Sequence, residues 1–147
     1  MVFQEFSLVP TLSVAHNILL LREPRTRLGL TDEAATVARA QAVLSDLGVA
    51  VDVRADAGSL PVGSQQLVEI AKATAGDPSI LVLDEPTASL TAAEVETLFR
   101  VVRRLRERGV AIVYISHHLA EVLAICDSIS VLRDGLVRLT GPAADLG

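Results

Sequence analysis

Apolar residues fall along the chain in two kinds of pattern. Two stretches are continuous: Ile80-Leu81-Val82-Leu83 and Val110-Ala111-Ile112-Val113-Tyr114-Ile115. A short, unbroken, β-favouring run bounded by breakers predicts a strand buried on both faces, as in a parallel sheet. Gly76-Asp77-Pro78 precedes the first run, and Pro86, which has no N–H to donate to a ladder, follows it. Between the runs Val95, Leu98, Phe99, Val102 and Leu105 recur at helical spacing until Gly109. Strand, helix, strand is a βαβ unit, so the two strands are expected to be parallel. Thr91-Ala92-Ala93-Glu94 has the spacing of a capping box at the start of that helix.

Other stretches carry weaker versions of these signals. Pro10 to Val14 reads as a turn into a short helix with Ser13 as N-cap. Arg22 to Leu30, with Pro24, Gly29 and three arginines, reads as a loop. Thr31-Asp32-Glu33 opens a helix whose apolar side includes Val37, Leu44 and Leu47, and Gly48 ends it. Val49 to Gly58 reads as an irregular connector. Leu67, Ile70, Ala71 and Thr74 mark a further helix, whose free N–H groups behind Gly63 are expected to form an anion site. Leu119 to Cys126 reads as a short helix. Ser128 to Arg133 and Leu136 to Leu139 then flank Asp134-Gly135, a two-residue hairpin signal, and Gly141-Pro142 is expected to end order.

Composition narrows the picture. A length of 147 residues suggests one domain, and 50% hydrophobic residues suffice for a core. Five arginines between Arg100 and Arg108 invite a nucleic-acid reading, but a net charge of −5 argues for the wet face of an amphipathic helix and no nucleic-acid partner. One cysteine, Cys126, excludes an internal disulfide, fits a reducing compartment and is expected to lie in the core. No apolar run approaches the roughly 20 residues needed to cross a bilayer. The first residues lack the basic region of a signal peptide, so a soluble, cytoplasmic protein is expected.

The candidate chemistry sits at strand ends. Asp84 and Glu85 fall at the carboxyl end of the first continuous run, the edge where open α/β sheets bind ligands. Ser116-His117-His118 falls at the same end of the second, which puts His117 on that edge and leaves His118 to face elsewhere. Taken singly, two acids at a strand end are ordinary ion-pair formers, and a strand-end histidine is ordinarily structural.

Taken together, "SILVLDEPT", "LPVGSQQLVEIAKA", "YISHHLAEV" and "FQEFSLVPTLSVAHNI" resemble, in their order along the chain, the ATP-binding cassettes that drive ABC transporters. The resemblance runs from Gln4 to about Gly141 and implies the following roles. Asp84 corresponds to the Walker B acid that holds Mg²⁺, and Glu85 to the acid that orients or deprotonates the attacking water. His117 corresponds to the switch histidine of the H-loop, and Gln4 to the Q-loop glutamine that touches Mg²⁺ or the water. Leu60, Pro61, Gly63, Ser64 and Gln66 span the signature motif, which contacts ATP held by an opposing cassette. Pro61 stands where the family has serine and Val62 where it has its first glycine. Thr91 stands at the D-loop position usually held by aspartate; its capping box also gives it a purely structural role. A metal-holding acid beside a water-positioning acid suits phosphoryl transfer, which needs charge neutralisation more than covalent chemistry.

The form of the signature is similar to the first cassette of fused monosaccharide importers of the ribose and xylose type. The implied fold is α/β: a partial P-loop NTPase (ABC cassette) fold with parallel core strands flanked by helices, a helical subdomain and a C-terminal β-hairpin. The helical subdomain with the signature is expected over about 7–76, and the core from Walker B onward over about 77–147. The implied cofactors are ATP and Mg²⁺. The implied partners are a second cassette, a membrane permease and, indirectly, a sugar-binding protein, with the chain peripheral on the inner face of the cell membrane. The sequence has no Gly-x-x-x-x-Gly-Lys-[Ser/Thr] segment, and its one lysine is Lys72. The chain is therefore expected to be a truncated cassette without the phosphate grip. Three functions follow: an ATP-hydrolysing importer subunit seen in part, an inactive remnant that only docks on a permease or cassette, or a non-transport cassette of translation or DNA repair.

Overall fold

A computed structural model describes residues 7–146. Its helices are α1 (Val14–Ile18), α2 (Glu33–Leu47), α3 (Val62–Thr74), α4 (Ala92–Glu107) and α5 (Leu119–Ile125). Its strands are β1 (Ile80–Asp84), β2 (Ala111–Ile115), β3 (Ser128–Arg133) and β4 (Leu136–Pro142). The order is helical first and mixed afterwards, and one hydrophobic cluster joins the two: Leu44 of α2, Ile70 of α3, Leu81 and Leu83 of β1, and Leu98 of α4 are all buried in it.

The caps lie where the sequence places them. Ser13 accepts the His16 amide at the start of α1, and Asp32 accepts the Ala35 amide at the start of α2. Gly48 closes α2 in the left-handed conformation at φ +71°, which an L side chain adopts only with strain. Thr91 and Glu94 form both halves of the capping box of α4. The helix buries Leu98, Phe99, Val101, Val102 and Leu105 and turns its arginines to water. Arg106 pairs with Asp127 at 3.4 Å and Arg108 with Asp46 at 3.3 Å, which accounts for part of the basic cluster without any external partner.

β1 and β2 pair in parallel, in the register Ile80↔Ala111 to Asp84↔Ile115, as the βαβ pattern predicts. The expectation of burial on both faces fails. Leu81 and Leu83 are sealed inside, but Ile80 is 60% exposed, and on the same face of the sheet Val113 is 48% and Ile115 44% exposed. A parallel sheet has both faces dry only where helices cover both. Among the described residues α4 covers one, Phe99 meeting Tyr114 edge-on at 6.4 Å.

β3 and β4 form an antiparallel hairpin with a bulge at Val131/Leu132. Asp134 (φ +55°) and Gly135 (φ +74°) make the turn, both left-handed, as a two-residue hairpin loop demands. Order does not end at Pro142: the Ala143 amide bonds the Asp127 carbonyl at 3.0 Å, and a short 3-10 turn over Ala143–Asp145 follows.

Candidate functional site

Parallel pairing brings the carboxyl ends of β1 and β2 together. Asp84 is the last residue of β1, opposite Ile115, and the ladder continues one step further, the Glu85 amide donating to the Ile115 carbonyl at 2.9 Å. His117 lies two residues beyond Ile115. Its Nδ1 meets Glu85 Oε1 at 2.9 Å, so the acid and the imidazole placed on one edge from sequence are in direct contact. The imidazole is 71% exposed and the carboxylate 21%. His118 does not turn away as expected; its ring lies against that of His117, centroids 4.1 Å apart and planes tilted by 37°.

Two features of Glu85 mark it out. Its backbone is left-handed at φ +44°, a conformation that costs a side-chain-bearing residue roughly 1–2 kcal/mol. Its second oxygen, Oε2, is buried with no hydrogen-bond partner. A buried acceptor without a donor is unfavourable, and such groups concentrate at sites built for something else to supply the donor. One oxygen is held by His117, and the other is sealed from solvent with no donor facing it. Asp84, half-buried beside it, adds the kind of hard oxygen donor Mg²⁺ takes. No group of three or more His, Cys, Asp or Glu side chains among the described residues forms a complete metal cage. The donor set therefore fits a metal that keeps waters and substrate oxygens among its ligands.

A carboxylate absent from the sequence reading braces this edge. Thr87, 5% exposed, donates its hydroxyl to Glu121 Oε2 at 2.7 Å, and the Tyr114 hydroxyl donates to the same oxygen at 3.1 Å. Burial, and then the charge of Glu121, push the Tyr114 phenol well above its ordinary range. The available signal was an acid in the first turn of α5, four residues after His117, which reads as ordinary helix-dipole complementation.

The signature segment differs from expectation. α3 begins at Val62 with Pro61 as N-cap, so Gly63 lies inside its first turn rather than ahead of it. Its N-terminus is not open: the Glu94 carboxylate lies against Gly63, where any Cβ would collide with it. Hydrogen bonds from the Thr91 amide, the Thr91 hydroxyl and the Gly63 amide lower the Glu94 pKa from the ordinary 4.5. Thr91 and Gly63 are thus joined through Glu94. Ser64 is half-buried, Gln66 only 7% exposed, and Leu60 packs partly buried against the core. No side-chain hydrogen bond among the described residues joins this group to Glu85 and His117.

Gln4 lies outside the described residues. The segment after it is fastened firmly. Ser7 bonds the Glu69 carboxylate of α3 through its amide and its hydroxyl, and Lys72 donates to the Ser7 carbonyl at 2.8 Å. Asn17, fully buried, accepts the Val9 amide at 2.7 Å and donates to the carbonyls of Val9, Leu12 and Ser13.

Comparison with known proteins decides the family. The model of the ABC transporter family matches residues 1–88. The chain belongs to the ABC transporter family. A putative ribose/galactose/methyl galactoside import ATP-binding protein of Agrobacterium fabrum is 51% identical over 146 residues, 99% of this chain and 29% of that protein. A ribose import ATP-binding protein of Burkholderia ambifaria is 52% identical over 134 residues, 91% of this chain and 26% of that protein. The chain thus spans less than a third of the length of these curated relatives. Its fold matches the dimeric structure of a bacterial ABC transporter cassette with a TM-score of 0.78 at 26% identity, over 97% of this chain and 61% of that one. A post-hydrolysis cassette dimer bound to ADP and Pi matches equally well, at 27% identity. The expected α/β cassette fold holds, with the ABC chain seen here spanning part of it.

Proposed function

We propose that this chain is part of the ATP-hydrolysing cassette of a monosaccharide importer. The observation that carries the reading is the 2.9 Å contact between Glu85 and His117, with Glu85 Oε2 left open. In this reading Glu85 orients the attacking water through its carboxylate, and His117 holds the carboxylate and bonds the terminal phosphate. Asp84, with Gln4, holds Mg²⁺, which supplies neutralisation of phosphate charge. Leu60, Pro61, Gly63, Ser64 and Gln66 face ATP bound by a second cassette, with Thr91 at the crossing between the two. The relatives' names support the sugar class, and the dimeric cassettes support a cassette partner. A permease and a sugar-binding protein complete the assembly, with the cassette on the cytoplasmic face of the membrane. No helix among the described residues is long and apolar enough to cross it. In this proposal about 7–76 form the helical, signature-bearing part and about 77–147 the catalytic core.

A second reading, a docking module without turnover, is favoured by one observation: Glu94 occupies the start of α3. Titration of Mg-ATP against the purified chain separates them. Weak binding by the chain alone, with turnover by an added intact cassette that Gly63→Asp in this chain abolishes and Glu85→Gln leaves unchanged, supports the first. Partner turnover unaffected by Gly63→Asp overturns it in favour of the second.

A further inference from the structure

We infer that Glu121 is a positioning residue that fixes the approach of His117 to Glu85, a role that rests on the nucleotide-site reading above only for its biological use. Glu85 and His117 sit on two separate segments, one leaving β1 and one leaving β2. For Nδ1 and Oε1 to stay in contact, those segments must be tied to each other beyond the strands. The backbone of Glu85 works against this: its left-handed φ of +44° persists only if neighbouring structure holds it. The hold on one side is Thr87, two residues on, whose nearly buried hydroxyl bonds Glu121 at 2.7 Å.

On the other side, α5 has little else to place it. It buries none of its residues, and His118 at its N-cap makes no side-chain capping bond. The apolar packing of α5 rests on Ile125, partly buried against the core, and the carboxylate of Glu121 is its polar anchor. That one oxygen, Oε2, receives both Thr87 from the Glu85 segment and Tyr114 from β2. Tyr114 lies opposite Leu83 in the strand register and is packed by Phe99, so it is a rigid reference point. Hydroxyl-to-carboxylate bonds are short and strong relative to neutral ones, which suits a tie between two otherwise loose segments. Glu121 thus links the segment after the acid, the strand beneath and the helix after the histidine.

The test reads the His117 ring directly, with no nucleotide present. Facing a carboxylate, Nδ1 must carry the proton in the neutral ring, whereas a free imidazole follows its own preference. Nitrogen-15 NMR of the full chain at about pH 8, above the ordinary range of histidine, reports this tautomer. The wild-type chain shows His117 predominantly Nδ1–H. Thr87→Val and Glu121→Ala each lower that population several-fold. Glu121→Gln, which keeps an acceptor oxygen for both hydroxyls, restores most of it, and Tyr114→Phe, which leaves the Thr87 bond, keeps it. Melting temperatures measured in parallel separate support from positioning. A wild-type tautomer in Thr87→Val and Glu121→Ala, with lowered melting temperatures alone, overturns the proposal. If Glu121→Ala does not fold, the near-isosteric Thr87→Val carries the same test. Turnover by an added intact cassette that ignores Gly63→Asp in this chain would count against the functional reading and leave this result standing.

Discussion

The carboxylate of Glu94 occupies the space that any side chain at position Gly63 would need. Gly63 and the capping box of Thr91 and Glu94, distant in sequence, therefore meet within one chain. Gly63 has a local reason to be glycine, independent of a phosphate from another cassette.

Substituting Gly63 consequently reports on the α3–α4 contact first. Gly63→Ala displaces Glu94 and lowers the melting temperature, although alanine favours a helix. In a Glu94→Ala background the sign reverses, with a gain of roughly 0.5–1 kcal/mol from helix propensity. A double-mutant cycle by thermal melting measures the reversal; additive effects would show that the two residues do not compete for space.

Glu94 also sets a pH dependence. Its folded pKa lies below 4.5, lowered first by the Thr91 amide, then by the Thr91 hydroxyl and the Gly63 amide. A depressed carboxylate contributes stability that is present above the unfolded pKa and is lost as pH falls through the folded one. Glu94→Gln should therefore flatten the stability profile below about pH 4.5 and leave its shape near neutrality unchanged. Denaturant melts across the acid range provide the check.

Glu85 combines left-handed strain with an open buried oxygen. Glu85→Gly removes both and should stabilise the chain, by up to about 1 kcal/mol after the entropic cost of glycine. A gain in stability at the residue proposed to orient the attacking water is the sign of a position kept for chemistry. A loss would mean that the carboxylate is there for the fold.

Cys126 is half-buried rather than sealed in the core, and burial, then Asp127, raises its pKa above the ordinary 9.0. Its thiolate is scarce near neutral pH, so iodoacetamide should react more slowly with the folded chain than with the unfolded one. Asp127→Asn should speed the folded reaction modestly. Timed alkylation with mass readout follows both.

Much of the fold was legible because local signals agreed with one another. Thr91-x-x-Glu94 named its cap, Gly48 its helix end, and Asp134-Gly135 its turn, each fixed by residues within a few positions. The meeting of Glu85 and His117 followed from parallel pairing, which the βαβ pattern implies. What escaped was cross-chain. Glu94 against Gly63, and Thr87 on Glu121, join residues about 30 positions apart, and no periodicity encodes such a meeting. The burial of β1 was overstated for a different reason. Unbroken apolar character records what a strand can tolerate, while the cover it receives depends on the helices around it.

The uncovered side of β1 and β2 bears on colloidal behaviour more than on melting. Ile80, Val113 and Ile115 together make a sticky oily stripe in water. Light scattering should rise steeply with concentration, and Val113→Lys should suppress that rise with little change in melting temperature, since half of that side chain is already wet. Ile80, Val113 and Ile115 thus help to limit how concentrated the purified chain can be made.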